Sequence, residues 1–197
     1  MGENMKTELC KLAYKYGTDK CPEISHPYTP FYYELLKDKQ ISIKKVLELG
    51  IGCPKNMSGE HYRTGASLYM WRDFFPNAQI YGADILPETM FKDDRIETFL
   101  CNERNNKDLE ALIEKTGSDI DLFIDDGSHL VRHQIFVCRA LMPLLKKDVI
   151  YIIEDSSYPN YVKETLNEFD CYIPDLSNIP LLHRSRRTDN LIIVKNK

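Results

Sequence analysis

Two short stretches hold the side chains best suited to chemistry. Asp125, Asp126 and His129 fall within five residues, and Glu154-Asp155 follows further along the chain. Adjacent carboxylates contribute little to a hydrophobic core. They either cap a helix in solvent or hold something that needs negative charge beside a base. Each pair follows an apolar run, Leu122-Phe123-Ile124 or Tyr151-Ile152-Ile153, and so stands at the end of a buried strand. Neighbouring parallel strands lie roughly 5 Å apart, so two adjacent strands would crowd all four carboxylates together. Such a cluster repels itself unless a cation neutralises it. All-oxygen ligation favours a hard divalent ion, magnesium or manganese. Alternating side-chain direction lets three of the four carboxylates reach it. A bound divalent ion acidifies a sugar or alcohol hydroxyl while fixing its position, and His129 can accept the proton, imidazole being the usual side-chain base at neutral pH.

A second group lies at the first glycine turn. Glu48-Leu49-Gly50-Ile51-Gly52 ends one apolar run, and Asp84 ends the next. Glycines there let the backbone turn tightly against a ligand, and an acid after the second strand can accept from both hydroxyls of a ribose. A dinucleotide site wants its glycine pattern to run directly into a helix. Here Cys53-Pro54 and a polar insert intervene before a helix opens at Gly65, so pyrophosphate binding is poorly supported. The acidic Glu48 suits a ligand carrying an ammonium or sulfonium, as S-adenosylmethionine does. Tyr16 and Lys20 match the Tyr-x-x-x-Lys of short-chain dehydrogenases, but they precede the first strand and the match is fortuitous.

The elements that must position these groups alternate in period. Strands are expected at 44–52, 78–85, 96–102, 120–126 and 149–156, and helices at 65–75, 107–116 and 158–169. Another helix should open at Ser128, a good N-cap residue, with Val131, Ile135, Cys138, Met142 and Leu145 at helical spacing. Alternation of this kind builds right-handed βαβ units and a parallel sheet. The last two strands, 171–176 and 190–196, lack a helix between them and suit an antiparallel pair. The expected fold is α/β and Rossmann-like: seven strands, mostly parallel, an antiparallel last strand, and helices on both faces. Residues 1–43, with short helices at 6–16 and 31–38 around a 14-residue loop, form a helical lid or substrate segment on a 44–197 core.

Bulk properties narrow the class. The chain has 197 residues, enough for one well-buried domain, and a net charge of −4 that argues against a nucleic-acid partner. No apolar run is long enough to span a membrane, and the start lacks the apolar stretch of a signal peptide. Six scattered cysteines without a Cys-x-x-Cys pair favour reduced thiols and a cytoplasmic location.

With these residues in place, the sequence from residue 13 onward resembles the metal-dependent macrocin- and macrolide-type sugar O-methyltransferases, a group that includes cephalosporin-hydroxylase-like members. The resemblance is carried by YGTDK (16–20), HPYTPFY (26–32), VLELGIG (46–52), GASLYMW (65–71), YGADI (81–85), FIDDGSHLVRHQ (123–134) and YIIEDS (151–156). It implies a magnesium site of Asp126, Glu154 and Asp155, with His129 as general base and Asp126 sharing the catalytic role. It also implies that Glu48, Gly50 and Asp84 contact S-adenosylmethionine, with Asn102 at the adenine end and Lys20, Tyr28 and Thr29 folding over the site. Gly52, Ser67 and Asp125 complete the expected cofactor contacts, with Asp125 either touching the cofactor or serving as support.

The sequence departs from that group in reading Cys101-Asn102-Glu103 where Gly-Asp-Gln is usual, and Lys147-Asp148 where Gly-Gly is usual. The expected partner is a sugar or glycoside acceptor, acidic and nucleotide-linked forms included, with self-association into a homo-oligomer also considered. Arg184, Arg186 and Arg187 form a basic loop that either meets an acidic acceptor or is simply solvated. A phenolic or catechol acceptor, an oxidoreductase on the same scaffold, and a binding module without turnover are the alternatives.

Overall fold

A computed structural model describes residues 7–52, 63–181 and 189–197. Among the described residues, eight strands form one sheet in the order β3-β4-β2-β1-β5-β6-β8-β7. They are β1 Lys45–Leu49, β2 Gln79–Asp84, β3 Lys92–Asp93, β4 Ile96–Leu100, β5 Leu122–Asp125, β6 Ile150–Ile153, β7 Asp170–Tyr172 and β8 Ile192–Lys195. Strands β4, β2, β1, β5 and β6 run parallel. β8 lies antiparallel to both β6 and β7, which restores β7 to the common direction.

The count is eight where seven is expected from the sequence. The extra strand, β3, is a two-residue antiparallel edge on β4, too short to leave a periodic trace. From β1 the chain builds outward to β2 and β4, then returns to add β5 and β6 on the other side. This reversal opens a crevice at the carboxyl ends of β1 and β5, where open α/β sheets take their ligands.

Among the described residues, six α-helices flank the sheet: α1 Glu8–Tyr16, α2 Tyr28–Leu36, α3 Ala66–Phe74, α4 Asn106–Thr116, α5 Val131–Leu141 and α6 Pro159–Thr165. α1 starts at Thr7, whose hydroxyl accepts from the Cys10 amide at 3.1 Å, and ends at Gly17 with φ of 74°. Leu9, Tyr28, Tyr32, Trp71 and Phe74 pack with Val46, Ile80, Ile124 and Ile152 on one face of the sheet. Leu109, Leu112, Val137, Leu141 and Val162 pack with Leu47, Leu49, Phe123, Tyr151 and Ile153 on the other. The near-continuous apolar strands therefore serve two cores, as expected of a covered parallel sheet.

Two helix starts shift by three residues. α2 begins at Tyr28 rather than residue 31, because the Lys20 carbonyl accepts the Tyr28 and Thr29 amides and so holds the first turn. α5 begins at Val131 with Leu130 at its cap, not at Ser128. The Ser128 hydroxyl pairs with His133 Nδ1 at 2.7 Å instead of capping the helix, and His129 takes a positive φ of 56° just before it.

Candidate active site

Strand register decides which carboxylates meet. Glu48 pairs with Ile124, and Ile124 with Ile152. Because side chains alternate across a strand, Glu48, Asp126 and Glu154 all emerge on the face that carries α1, α2 and α3. Asp125 has the opposite parity and is buried on the other face. Asp155 would also point away, but a φ of 53° turns it back toward the cluster. Gly50, with φ of 83°, allows the crossing: a Cβ there would run into the carbonyl of Asp126.

The inner part of the cluster is buried and its polar groups are paired. Glu48 accepts from Ser67 Oγ and from Trp71 Nε1, both at 2.6 Å. Lys20 Nζ lies 2.6 Å from Asp126 Oδ2, 2.7 Å from Glu154 Oε2 and 3.6 Å from Glu48 Oε1. The other Glu154 oxygen accepts from Tyr32 Oη at 2.6 Å. Burial pushes Glu154 well above the usual carboxylate range, and Lys20 only partly offsets it. Burial also raises Asp155, with the Asp126 charge adding to it. Burial would lower Lys20, but Asp126, Glu154 and Glu48 together hold its ammonium well above the ordinary value. Negative charge exceeds what one lysine can balance.

The outer part is open. His129 Nδ1 stands 3.9 Å from Asp126 Oδ1 and 3.8 Å from Asp155 Oδ2. These spans are too long for direct hydrogen bonds and suit a ligand between them. One donor atom each from Asp126, His129 and Asp155 lies within 4.8 Å of the others. Carboxylate oxygens of this kind fit a hard divalent cation. Asp155 is steadied from behind by the Tyr28 hydroxyl, and His26 Nδ1 stands 3.6 Å away, beyond hydrogen-bond reach. His26 also pairs with Asp189 at 2.7 Å.

A cavity of about 570 Å³ runs from this cluster past the glycine turn. Gly50, Gly52, Ser67 and Asp84 line it, as do Lys20, Glu48, Asp126, His129, Glu154 and Asp155. Asp84 is anchored by the Ile51 and Leu86 amides at 3.1 and 3.0 Å, with its carboxylate at the cavity wall.

Three expected contacts do not line the cavity. Thr29 is buried, with its hydroxyl on Cys10 Sγ at 3.1 Å. Asn102 uses its side-chain oxygen to accept from the Arg104 amide and Nε, both at 3.2 Å, while Cys101, Glu103 and Arg104 line the wall. Asp125 is buried, with Oδ2 unpaired. Burial, then the charge of Glu103, raises its pKa well above the usual range. Arg184, Arg186 and Arg187 lie outside the described residues.

Sequence reasoning gave no role to Tyr32, His26, Trp71, Glu103 or His133. Tyr28 and Tyr32 are four apart on α2, and that spacing alone could have placed both hydroxyls on one face. His133 meets Ser128 and lies 3.4 Å from Glu103, contacts that its place on α5 does not announce.

Comparison with known proteins bears on the chain as a whole. No family model matches the sequence. A tetracenomycin rhamnosyl 3'-O-methyltransferase of Streptomyces olivaceus is 35% identical over 148 residues, 75% of this chain and 36% of its own length. Mycinamicin VI 2''-O-methyltransferase of Micromonospora griseorubida is 34% identical over 150 residues, 76% of this chain and 36% of its own. Over about three quarters of its length the chain is thus similar in sequence to named O-methyltransferases, demethylmacrocin O-methyltransferase of Streptomyces fradiae among them at 33% identity.

It spans about a third of the length of these curated relatives. The solved structure of MycE methyltransferase with Mg, SAH and mycinamycin VI superposes with a TM-score of 0.74 at 26% identity. The match covers 98% of this chain and 56% of that one. The fold is therefore a Rossmann-like methyltransferase fold, mostly parallel with antiparallel end strands. Among the described residues, no helix is long and apolar enough to cross a membrane.

Proposed function

We propose that this chain is a divalent-metal-dependent O-methyltransferase that uses S-adenosylmethionine to methylate a sugar hydroxyl of a glycoside. One observation carries the reading. The outer oxygens of Asp126 and Asp155 converge with His129 at one end of a cavity whose other wall is the glycine turn and Asp84. Asp126, Glu154 and Asp155 hold the ion, magnesium or manganese, and Asp84 holds the ribose of the cofactor beside Gly50 and Gly52. When bound, the ion lowers the pKa of the acceptor hydroxyl and the cofactor supplies an electrophilic methyl group.

The chain's own residues then have separable tasks. His129, exposed at the cavity mouth, accepts the hydroxyl proton. Asp126 and Asp155 orient the oxygen, and Tyr28 fixes Asp155. Residues 1–43 act as a segment laid over the site, and 44–197 as the core that builds it. Acidic or nucleotide-linked acceptors, self-association and a cytoplasmic setting belong to the same proposal. An acceptor panel tests the first, sedimentation the second and fractionation the third.

Calorimetry with S-adenosylmethionine and NADH, each with and without EDTA, tests the cofactor assignment. S-adenosylmethionine is expected to bind and NADH is not; the reverse would sink the reading. His129→Ala is expected to bind S-adenosylmethionine as wild type does while losing transfer, and loss of both would remove the base role.

A further inference from the structure

Lys20 is fixed through its backbone before its side chain is considered. Its carbonyl accepts the Tyr28 amide at 3.2 Å and the Thr29 amide at 3.0 Å, at a helix start whose Pro27 cap offers no side-chain bond. The residue is only 1% exposed, so its ammonium is held away from bulk solvent. That ammonium spans the ends of three adjacent strands, touching Asp126 Oδ2 and Glu154 Oε2 and facing Glu48.

We propose that Lys20 is an internal counter-ion that sits on two of the three carboxylates of the ion site. A binding divalent ion displaces it from Glu154, so the affinity of the site is set by competition with this ammonium. The proposal rests on the reading that Asp126, Glu154 and Asp155 hold the ion. Glu154 has no oxygen clear of a donor, since Tyr32 takes Oε1 and Lys20 takes Oε2. A dication approaching Glu154 therefore meets a fixed positive charge at contact range, where like charges repel strongly. Among the described residues, Asp126 Oδ1 and Asp155 Oδ2 have no lysine or arginine in contact, with His129 at 3.9 and 3.8 Å respectively. An ion held by those two would be joined by Glu154 only once Lys20 had moved off its Oε2.

The Lys20 ammonium offsets part of the charge of this acidic cluster, and an uncompensated buried charge is strongly destabilising. The competition also links the ion to the 17–30 segment, which carries Lys20 together with His26 and Tyr28, the two residues beside Asp155. Lys20 is thus a positioning residue, acting through Glu154.

The test begins with wild-type protein isotopically labelled at lysine Nζ. A buried ammonium with two short bonds should give an exchange-protected resonance that is missing from Lys20→Arg protein. Adding magnesium to the metal-free protein is expected to shift or broaden it. Calorimetric magnesium binding with that resonance unmoved overturns the proposal. In parallel, Lys20→Met is expected to bind magnesium roughly tenfold more tightly or better, about 1.4 kcal/mol, while Lys20→Arg stays close to wild type. Unchanged or weaker binding by Lys20→Met overturns the competition.

If Lys20→Met unfolds in EDTA, recovery of its fold in magnesium supports the proposal, since the ion then replaces the ammonium. Failure to fold in either condition overturns it. Asp126→Asn and Asp155→Asn separate the two levels of the argument. If both retain wild-type magnesium affinity, the reading of the site itself fails. If they lose it while Lys20 variants change nothing, only the competition fails.

Discussion

Replacing Trp71 with Phe tests whether Glu48 is held as a charged, fully engaged group beneath the cavity. The indole Nε1 donates to Glu48 Oε2 at 2.6 Å, and both residues are buried with no detectable exposure. Phe keeps most of the ring volume but removes the donor. A hydrogen bond to a charged group contributes about 1.5–3 kcal/mol, and shrinking a packed indole adds about 1 kcal/mol of cavity cost. The expected loss is therefore about 3 kcal/mol.

Glu48 has an escape route, since burial already raises its pKa; protonation would soften the loss but not abolish it. Urea unfolding followed by far-ultraviolet circular dichroism is the assay, because Trp71 is the only tryptophan in the chain and its fluorescence leaves with it. A double-mutant cycle with Glu48→Gln isolates the pair from the packing change. Coupling above about 1 kcal/mol is expected. Coupling indistinguishable from zero would refute the claim that Trp71 secures Glu48.

Three further outcomes are expected. Gly50→Ala should lose magnesium affinity at least as much as it loses stability, because its Cβ meets the Asp126 carbonyl at a φ of 83°; calorimetry on folded variant with normal affinity would contradict this. The Cys21 and Cys101 thiols, each pushed up to about 12 by burial, should resist iodoacetamide in the native protein at pH 8. Mass spectrometry showing rapid labelling of either would count against their burial. Asp73 joins α3 to α1: although burial opposes it, bonds from Tyr16, Lys15 and Arg72 lower its pKa to about 2 from 3.8. A depressed folded-state pKa gives stability that is present above pH 4 and lost as pH falls toward 2. The melting-temperature gap between wild type and Asp73→Asn should narrow across that window, and a constant gap would contradict the assignment.

How much of this was legible in the sequence depends on how local the cause is. Apolar runs ending in Asp125-Asp126 and Glu154-Asp155 placed both pairs on adjacent strand ends, because strand order follows from right-handed βαβ connections. Alternation could have gone further: Glu48, Asp126 and Glu154 share one face while Asp125 takes the other, once the register is known. The contact of Lys20 with Asp126 and Glu154 joins residues more than a hundred positions apart, and nothing local signals it. Ser128 looked like a helix cap because its type is right, but its hydroxyl goes to His133. Asn102 looked like a cofactor contact by position, but its side chain stabilises its own turn against Arg104. Such choices between two local hydrogen-bond partners are settled by tertiary packing.

The central claim is that these strand-end carboxylates, with an ion and S-adenosylmethionine, serve methyl transfer to a sugar. Incubation with trideuteromethyl S-adenosylmethionine and a panel of rhamnosylated and other deoxysugar glycosides, read by mass spectrometry, tests it most directly. The account predicts a product heavier by one trideuteromethyl substitution on the sugar in magnesium, and none in EDTA or with Asp155→Asn. Equal product in EDTA, or a label found only on the aglycone, would contradict it.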